Sequence, residues 1–371
     1  MKKISTFALG LMLASTAFAQ KANNATEIPT FQETMGKYFL VGAAVNTFLP
    51  DGQDPAAEEV VKKQFNQVVA ENCMKSEEIH PTPFTWNWDD ADQFVKFGEE
   101  NGMTVIGHCL IWHSQCSPWF FTDENGKQVS AEELKTRMRD HITAIVTRYR
   151  GRIKGYDVVN EAILDNGDYR NSKFYEILGE EFIPWAFKCA HEADPDAELY
   201  YNDYSMALPG KREGVVKLVK SLKAQGLRID AVGLQSHMGM EHPDFAEYEK
   251  TIQALIDAGV KVAITELDMD AIPTVSFGAS VEDEAAYSAQ MNPYPEALPD
   301  SVSQIWNDRM TQVFRIYEKY QDHICRVTAW GVQDGDSWKN DWPMKGRTNY
   351  PLLFDRNYEM KPFLKDIINK K

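Results

Sequence analysis

The sequence predicts a single α/β domain made of strands and helices in unbroken alternation, and two observations support this fold. Short β-rich runs alternate with longer amphipathic stretches, without an internal repeat or a low-complexity linker. Polar and aromatic residues follow the ends of these runs, which is where proteins with eight strand–helix units place their sites. The pattern therefore favours an α/β fold of the (β/α)8 TIM barrel type, forming one domain over residues 37–371.

The predicted strands are short runs rich in β-branched and aromatic residues. They are Tyr38–Ala44, Gln67–Ala70, Thr104–Gly107, Gly155–Val159, Ala197–Tyr201, Ala231–Leu234, Lys261–Thr265 and Val327–Gly331. Apolar residues at i, i+3 and i+4 predict the helices between them. These include Ala91–Asn101, Ala131–Tyr149, Phe174–Ala193, Gly214–Gln225, Glu247–Ala258 and Ser303–Tyr320. A doubly wound sheet is the alternative, but the first strand lacks the Gly-rich phosphate turn typical of that fold.

The N-terminal residues have the composition of an export signal. A basic start at Lys2 and Lys3 precedes the apolar run Phe7–Ala14, and Ala17-Phe18-Ala19 resembles a cleavage site. We therefore expect residues 1–19 to be a signal peptide and residues 20–36 to lead into the barrel. No Cys directly follows Ala19, so a lipoprotein anchor is not indicated. The expected location is periplasmic or extracellular.

The composition limits the class of partner. The 371 residues carry a formal net charge of −16, which disfavours nucleic acid and anionic membranes but does not repel a neutral polysaccharide. We expect a monomer. The five cysteines form no CxxC pattern, so mostly buried free thiols are expected, with Cys109 and Cys116 the only local pair to consider.

Two glutamates lie close behind apolar β-runs. Glu161 comes after Val158-Val159-Asn160 and Glu266 after Ile264-Thr265. A carboxylate in such a place is costly unless it is paired or used. Retaining glycosidases hold two carboxyl groups ~5–5.5 Å apart across their cleft, whereas inverting enzymes hold them further apart. The pair therefore indicates glycoside hydrolysis, and the alternative is that each glutamate forms an ion pair at the rim.

Polar residues at neighbouring strand ends suit the same chemistry. His237, with Gln235 after the sixth strand, could hydrogen-bond Glu266 and be held in turn by Asp268. Hydrogen bonds to the charged form of a carboxyl group favour ionisation. Asn160 could reach a sugar 2-hydroxyl, a contact that strengthens in the transition state.

Aromatic residues after the strands could serve as platforms for sugar rings. They are Trp112, Tyr204, Trp330 and Trp338, and packing in the core is the alternative for each of them.

Metal binding is disfavoured, because His108 and His113 are five residues apart and no HExxH or paired-Cys motif accompanies them. We expect neither a metal nor a cofactor.

Seven motifs in register resemble glycoside hydrolase family 10, the endo-β-1,4-xylanases, from Lys37 to Ile368. The motifs are Glu71-Asn72-Cys73-Met74-Lys75, Gly107-His108 through Gln115, Asp157-Val158-Val159-Asn160-Glu161-Ala162, Tyr201-Asn202-Asp203-Tyr204, Gln235-Ser236-His237, Ile264-Thr265-Glu266-Leu267-Asp268, and Trp330-Gly331-Val332 with Asp336-Ser337-Trp338. One motif alone is weak evidence, but seven in the same order are specific.

The resemblance implies an endo-1,4-β-xylanase that hydrolyses xylan and xylo-oligosaccharides with retention of configuration. It implies that Glu161 is the acid/base, Glu266 the nucleophile, and that Asn202 and His237 hydrogen-bond the nucleophile. Tyr204 would stack on the aglycone sugar, beyond the bond that is cut. The glycone side would be lined by Glu71, Asn72, Lys75, His108, Trp112 and Gln115, with Trp330 and Trp338 closing over it.

The chain departs from the family pattern in three places. Ser205 stands where Asn is common, Gln333 stands where Thr is frequent, and the loop at about 272–300 is longer than in compact members. The loop is either a tolerated surface insertion or one wall of the cleft. Two alternative functions stay open, a β-glucanase or cellobiosidase on the same fold and a non-catalytic carbohydrate-binding barrel. The presence of both Glu161 and Glu266 disfavours the second.

Overall fold

Eight parallel strands close into a barrel in the computed structural model, which describes residues 29–276 and 284–370. They are β1 (Leu40–Val45), β2 (Gln67–Ala70), β3 (Thr104–Trp112), β4 (Gly155–Asn160), β5 (Glu198–Asp203), β6 (Ala231–Leu234), β8 (Lys261–Met269) and β9 (Ile324–Ala329). The ring closes where β9 pairs with β1 and β6 pairs with β8. A two-residue strand, β7 (His237–Met238), pairs with β8. The predicted (β/α)8 barrel is confirmed.

The strands are apolar because most of their residues are covered on both faces. All four residues of β2 and all six of β4 are buried. Parallel strands covered by helices on one side and by the barrel interior on the other read as near-continuous apolar runs. A small cluster that includes Val69, Ile106 and Trp330 fills the ring, while the main core lies between strands and helices.

Eleven α-helices surround the strands in the described part of the chain. They are α1 (Phe31–Met35), α2 (Pro55–Gln64), α3 (Ser76–Ile79), α4 (Asp89–Glu100), α5 (Ala131–Arg148), α6 (Lys173–Leu178), α7 (Phe182–Ala193), α8 (Pro209–Ala224), α9 (Phe245–Asp257), α10 (Asp300–Lys319) and α11 (Pro362–Asn369). Helix α5 shows the common pattern, since it buries Leu134, Met138, Ile142 and Ile145 on one face. Its N-cap Ser130 accepts the amide of Glu133.

The structure differs from the predicted elements in three ways. The stretch Phe174–Ala193 is two helices, because Gly179 ends α6 in a left-handed conformation with φ of +60°. The prediction also omits α2 and α11. Strand β3 continues past Gly107, where a Cβ would lie 2.3 Å from the Tyr156 ring. Glycine at this position therefore permits close packing inside a strand and does not end it.

The expectations for the N-terminus and the cysteines have different outcomes. The predicted signal peptide and residues 20–28 of the lead-in lie outside the described residues. Within the described ranges, no helix is long and apolar enough to cross a membrane.

All five cysteines are unpaired, including Cys109 and Cys116, and three of them are buried. Burial raises the pKa of Cys73, Cys116 and Cys189 to about 12, so these thiols are neutral at physiological pH.

A buried histidine pair makes stability depend on pH. Nδ1 of His80 lies 3.0 Å from Nδ1 of His141, and burial lowers the pKa of His80 to about 4 and that of His141 to about 3. Both values lie below 6.5, the value of an unfolded chain. Protons therefore bind preferentially to the unfolded chain as the pH falls below about 6.5, and stability is lost.

We expect His141→Asn to reduce the loss of unfolding free energy between pH 7 and pH 5 by about 2 kcal/mol, which is 1.4 kcal/mol for each pH unit below about 6.5. Urea unfolding at both pH values measures the difference. His191→Asn, which replaces an exposed histidine in the last turn of α7, is the control. An unchanged pH dependence in His141→Asn would contradict the assignment.

Candidate active site

An open cleft of about 420 Å³ lies at the carboxyl ends of the barrel strands. The structure brings thirteen of the predicted site residues together in its lining: Glu71, Asn72, Lys75, His108, Trp112, Gln115, Asn160, Glu161, Gln235, His237, Glu266, Trp330 and Trp338. Ser114 and Trp342 complete the lining, and neither was predicted. Polar side chains from opposite sides of the ring therefore meet in one cavity of a size suited to a ligand.

Glu161 follows β4 and is held in a strained conformation. Its φ is +57°, in the left-handed region that residues with a side chain seldom adopt. Its backbone amide donates to the Asn202 carbonyl at 2.9 Å, and Arg170 Nε donates to its carbonyl oxygen at 2.9 Å. These contacts from both sides hold the backbone in this conformation. Such strain is concentrated at functional sites.

The side chain of Glu161 is buried, with 4% exposure, and accepts two hydrogen bonds. Trp112 Nε1 donates to Oε2 at 2.7 Å and Gln235 Nε2 donates to Oε1 at 2.8 Å. Burial, opposed by the Gln235 hydrogen bond and reinforced by the charges of Asp203 and Glu266, raises the pKa of Glu161 to about 7. The group is thus able to carry a proton near neutral pH.

Glu266 lies within β8, and its two oxygens meet different partners. Asn202 Nδ2 donates to Oε1 at 2.7 Å, and His237 Nε2 lies 3.1 Å from Oε2. Burial would lower the pKa of His237, but the charges of Asp268 and Glu266 outweigh burial and raise this pKa to about 9. A positively charged imidazole therefore lies directly beside the Glu266 side chain.

A chain of amide side chains joins the two glutamates. Gln235 Nε2 donates to Glu161 and, at 3.3 Å, to Oδ1 of Asn160. Asn202 Nδ2 donates to the same Oδ1 at 2.9 Å and to Glu266. Thr265 Oγ1 donates to Oδ1 of Asn202 at 2.6 Å, which orients that amide. The relative placement of Glu161 and Glu266 is therefore set by four buried partners.

Charges alternate behind Glu266. Nδ1 of His237 lies 2.9 Å from Oδ1 of Asp268, which is itself fully buried. Lys339 Nζ lies 3.3 Å from Asp268 and 3.1 Å from Oδ2 of Asp270. Trp338 Nε1 donates to Asp268 at 2.9 Å, so one wall of the cleft is tied to the same carboxylate. The sequence Glu266, His237, Asp268, Lys339, Asp270 alternates in sign, and each charge stabilises its neighbours.

Lys339→Met is expected to destabilise the fold and to disturb Glu266 indirectly. Removing one partner of a buried ion pair costs about 3–5 kcal/mol, because Asp268 and Asp270 would be left without their shared cation. We expect kcat to fall with little change in KM, because Asp268 no longer holds His237 as firmly. For the same reason, the acid limb of the plot of activity against pH, which is its low-pH side, should move. Lys339→Arg should restore the acid limb. A profile unchanged in Lys339→Met would leave Lys339 with a purely structural role.

Lys75 holds together one group of residues in the cleft lining. Its Nζ donates to Asn72 Oδ1 at 2.8 Å and to Gln115 Oε1 at 2.7 Å, and it lies 5.0 Å from the centre of the Trp112 ring. Four predicted residues are thereby held together, although Asn72 and Gln115 are far apart in the chain. Their hydrogen-bonding groups and the indole face suit a sugar with several hydroxyls.

His108 and Trp330 form the floor between the two sides. Their rings pack edge to face with centroids 5.2 Å apart. Nδ1 of His108 lies 2.9 Å from Oδ2 of Asp157, and Arg326 Nη2 lies 3.2 Å from Oδ1 of the same residue. Asp157 thus links the floor of the cleft to a buried cation inside the barrel. Among the described residues no cluster of His, Cys, Asp and Glu suits a metal ion.

Tyr204 is placed differently from the other predicted residues. It lines a neighbouring cavity of about 150 Å³ with Ser205, Met206 and Tyr248, and His237 lines both cavities. Arg170 Nη2 donates to the Tyr204 hydroxyl at 2.6 Å, and Lys211 Nζ lies 4.3 Å from its ring centre. The Tyr204 side chain therefore stands outside the cleft that holds the two glutamates, in a cavity that adjoins this cleft at His237.

The described part of the loop at 272–300 lies behind the cleft. None of its described residues is in the cleft lining. Arg347 binds it through the carbonyls of Pro273 at 2.7 Å and Met291 at 3.1 Å, and the Tyr350 hydroxyl donates to the Tyr294 carbonyl. The loop thus packs on the segment after β9 that carries Trp338 and Trp342. Its described residues therefore contact this segment and do not line the cleft.

The sequence analysis missed four residues of the site, and the sequence marks none of them clearly as functional. They are Lys339, Arg170, Thr265 and Trp342. Lys339 directly follows Trp338, but a lysine in a polar loop is normally solvated, and only its burial reveals its role. Arg170 and Trp342 lie in loops without regular spacing. Thr265 adjoins Glu266 in the chain, but only the folded structure shows that its hydroxyl binds the Asn202 amide that also binds Glu266.

Known proteins resemble this chain in both sequence and structure. The model of the family described as Glycosyl hydrolase family 10 matches residues 30–370. Endo-1,4-beta-xylanase A of Xylanibacter ruminicola is 54% identical over 370 residues, covering 99% of each chain. Beta-1,4-xylanase of Dictyoglomus thermophilum is 37% identical over 364 residues, covering 96% of each. A GH10 endoxylanase retrieved from a sugarcane soil metagenome matches in structure with a TM-score of 0.89 and 43% identity, over 92% of this chain and all of the other.

Proposed function

Because this chain belongs to glycosyl hydrolase family 10, we propose that Glu161 and Glu266 carry out its reaction as acid/base and nucleophile. The chain is an endo-1,4-β-xylanase, which hydrolyses internal β-1,4-xylosidic bonds of xylan by double displacement with retention of configuration. The observation that carries the assignment is the contrast between the two glutamates in one cleft. Glu161 has a raised pKa and accepts hydrogen bonds only from the neutral side chains of Trp112 and Gln235, whereas Glu266 faces a charged imidazole.

The first displacement forms a covalent intermediate. An oxygen of Glu266 attacks the anomeric carbon, the bond to the leaving sugar breaks, and Glu161 gives its proton to the departing oxygen. Hydrogen bonds from Asn202 and His237 hold the Glu266 carboxylate in position before attack. Asn160 lines the cleft between the two glutamates and is placed to bind the 2-hydroxyl of the reacting sugar.

The second displacement uses Glu161 in its other protonation state. Once Glu266 is esterified, its negative charge no longer acts on Glu161, and one of the causes that raise the pKa of Glu161 disappears. The Glu161 carboxylate then takes a proton from water as the water attacks the anomeric carbon, and Glu266 is released. The change of role follows from the loss of one charge.

The pH dependence of activity should be bell-shaped, and no added metal should be needed. Glu161 must be protonated to assist the first step, so kcat/KM should fall as the pH rises through about 7, the pKa of its carboxyl group. Activity should also fall at low pH, because a carboxyl nucleophile attacks only in its ionised form. Full activity is expected in excess EDTA. A flat profile above pH 7, or an activity that EDTA abolishes and zinc restores, would contradict the assignment.

The substrate and the stereochemistry are tested together. Xylose lacks the C6 hydroxymethyl group, so the Trp330 and Trp338 side chains in the cleft lining should admit xylosyl units and exclude glucosyl units. Reducing-sugar release from xylan, compared with that from carboxymethyl-cellulose, separates the xylanase from the β-glucanase alternative. NMR of the first product should show the β-anomer, and an initial α-anomer would refute double displacement.

We further propose that the protein is exported and monomeric. The apolar run at residues 7–14 and the Ala-Phe-Ala pattern at residues 17–19 support export through a cleaved signal peptide. The net charge of −16 is compatible with a neutral polysaccharide as the only large partner. Intact-mass analysis of the mature protein tests cleavage after Ala19, and light scattering of the purified protein tests the monomer.

A further inference from the structure

Lys211 is a buried cation to which the reaction described above gives no role. Its side chain is fully buried, and it lies in the first turn of α8. A cation is unfavourable at the N-terminus of a helix, where the helix dipole is positive, and burial makes the charge more costly still. The position of this lysine therefore needs an explanation of its own.

The ammonium group of Lys211 binds the residues that flank the acid/base. Nζ donates to Oδ1 of Asp203 at 2.8 Å and to the backbone carbonyl of Ile163 at 2.5 Å. Asp203 is fully buried at the end of β5, and Ile163 is two residues after Glu161. Lys211 thus ties the chain that follows Glu161 to the neighbouring strand.

Asp203 holds the same stretch of backbone through a tyrosine. The Tyr201 hydroxyl donates to Oδ2 of Asp203 and accepts the backbone amides of Ala162 and Ile163, each at 3.0 Å. The backbone amide of Tyr204 donates to Oδ1 at 2.9 Å. Among the described residues, Lys211 is the only cation that forms an ion pair with Asp203. The cluster therefore contains one negative charge and one positive charge.

The charge of Asp203 acts on Glu161. Burial raises the pKa of Glu161, and the charges of Asp203 and Glu266 add to this effect. Other titratable or charged groups reach Glu161 or its surroundings from every element packed against it. They are His113 after β3, Asp165 and Arg170 after β4, Tyr204 after β5, His237 on β7, and Glu71, Lys75 and His108 in the cleft lining.

We propose, resting on the acid/base role proposed above for Glu161, that Lys211 is a positioning residue for this glutamate. It fixes the backbone after Glu161 through the carbonyl of Ile163, and it offsets the negative charge of Asp203. An acid/base must give a proton in one step and take one in the next, which requires that both of its forms are accessible near the working pH. An unpaired Asp203 charge would oppose the ionised form, and Lys211 prevents this.

The first experiment measures kcat/KM for xylopentaose as a function of pH. Lys211→Met leaves Asp203 without its cation, so Glu161 should lose its proton at a higher pH. The high-pH limb of the profile should then move up by about one pH unit, the lower end of the effect of a neighbouring charge. Asp203→Asn removes the negative charge and should move this limb down. Lys217→Met, the same loss of charge at an exposed position of α8, should leave it in place.

The second experiment separates an effect on Glu161 from general damage to the fold. A dinitrophenolate leaves without a proton, so kcat/KM for a dinitrophenyl xylobioside should stay close to the wild-type value in both variants. The double variant, with Asp203→Asn and Lys211→Met together, removes both charges, and its high-pH limb should return to the wild-type position because the two shifts cancel. Should Lys211→Met fail to fold, Asp203→Asn and the double variant carry the test, since a buried ion pair can often be replaced by neutral side chains at little cost.

The outcomes distinguish this inference from the proposed function. High-pH limbs that stay in place in the single variants, or that move in the same direction in both, would overturn the role of Lys211 and leave the proposed function intact. An equal loss of kcat/KM on xylopentaose and on the dinitrophenyl xylobioside, with an unmoved limb, would show that the pair only supports the fold. A wild type whose activity on xylopentaose has no high-pH limb near pH 7 would overturn both proposals.

Discussion

Glu161→Ala is expected to slow xylan hydrolysis by roughly 10²–10⁴-fold and to separate the two half-reactions. A sugar hydroxyl is a poor leaving group, so glycosylation of Glu266 needs the proton of Glu161. A dinitrophenolate leaves without a proton, so the first step on a dinitrophenyl xylobioside should stay fast. The second step still lacks its base, and the covalent intermediate should accumulate, giving a burst followed by slow turnover.

Azide provides the decisive measurement on this variant. Azide attacks without a base, so it should speed the turnover of Glu161→Ala and yield the β-xylobiosyl azide. Stopped-flow absorbance gives the burst, and NMR gives the configuration of the azide. Glu241→Ala, an exposed glutamate after β7, serves as the matched control and should behave as the wild type. A variant that shows no burst and no response to azide would contradict the acid/base role.

Glu266→Ala is expected to have the larger effect, a loss on the order of 10⁵–10⁶-fold on both xylan and the dinitrophenyl xylobioside, as found when a nucleophile is removed elsewhere. A good leaving group does not rescue it, because no covalent intermediate can form. Azide can occupy the space that the carboxylate leaves and attack the anomeric carbon directly. The product should then be the α-xylobiosyl azide, formed with inversion. If Glu161→Ala instead gives the α-azide and Glu266→Ala the β-azide, the roles of Glu161 and Glu266 are reversed.

The same variant tests the charge chain behind the nucleophile. His237 has a pKa of about 9, raised by Asp268 and Glu266 against the effect of burial. Without the Glu266 carboxylate, one of these causes is removed, so the pKa of His237 should fall. NMR titration of the imidazole in Glu266→Ala measures this, and an unchanged value would mean that Asp268 alone holds the charge.

The sequence by itself was enough to predict the eight strands, the barrel fold and the two glutamates as candidate catalytic residues. Strand runs such as Gln67–Ala70 and Ala231–Leu234 coincide with β2 and β6, because apolar residues buried on both faces leave a continuous pattern. Glu161 and Glu266 stand out because a carboxylate directly after an apolar run is unusual and costly. These features depend on residues adjacent in the chain, and adjacency is what a sequence displays.

Only the tertiary structure decided which distant side chains meet. Lys339 is a functional candidate because folding buries it between Asp268 and Asp270, and nothing around it in the chain sets it apart from a solvated lysine. Gly107 looked like the end of a strand, but it makes room for the ring of Tyr156. Phe48 could have been a core residue, and the fold leaves it on the lip of a cavity. Burial and ion pairing are properties of the assembled barrel, since they arise between residues that the chain itself keeps far apart.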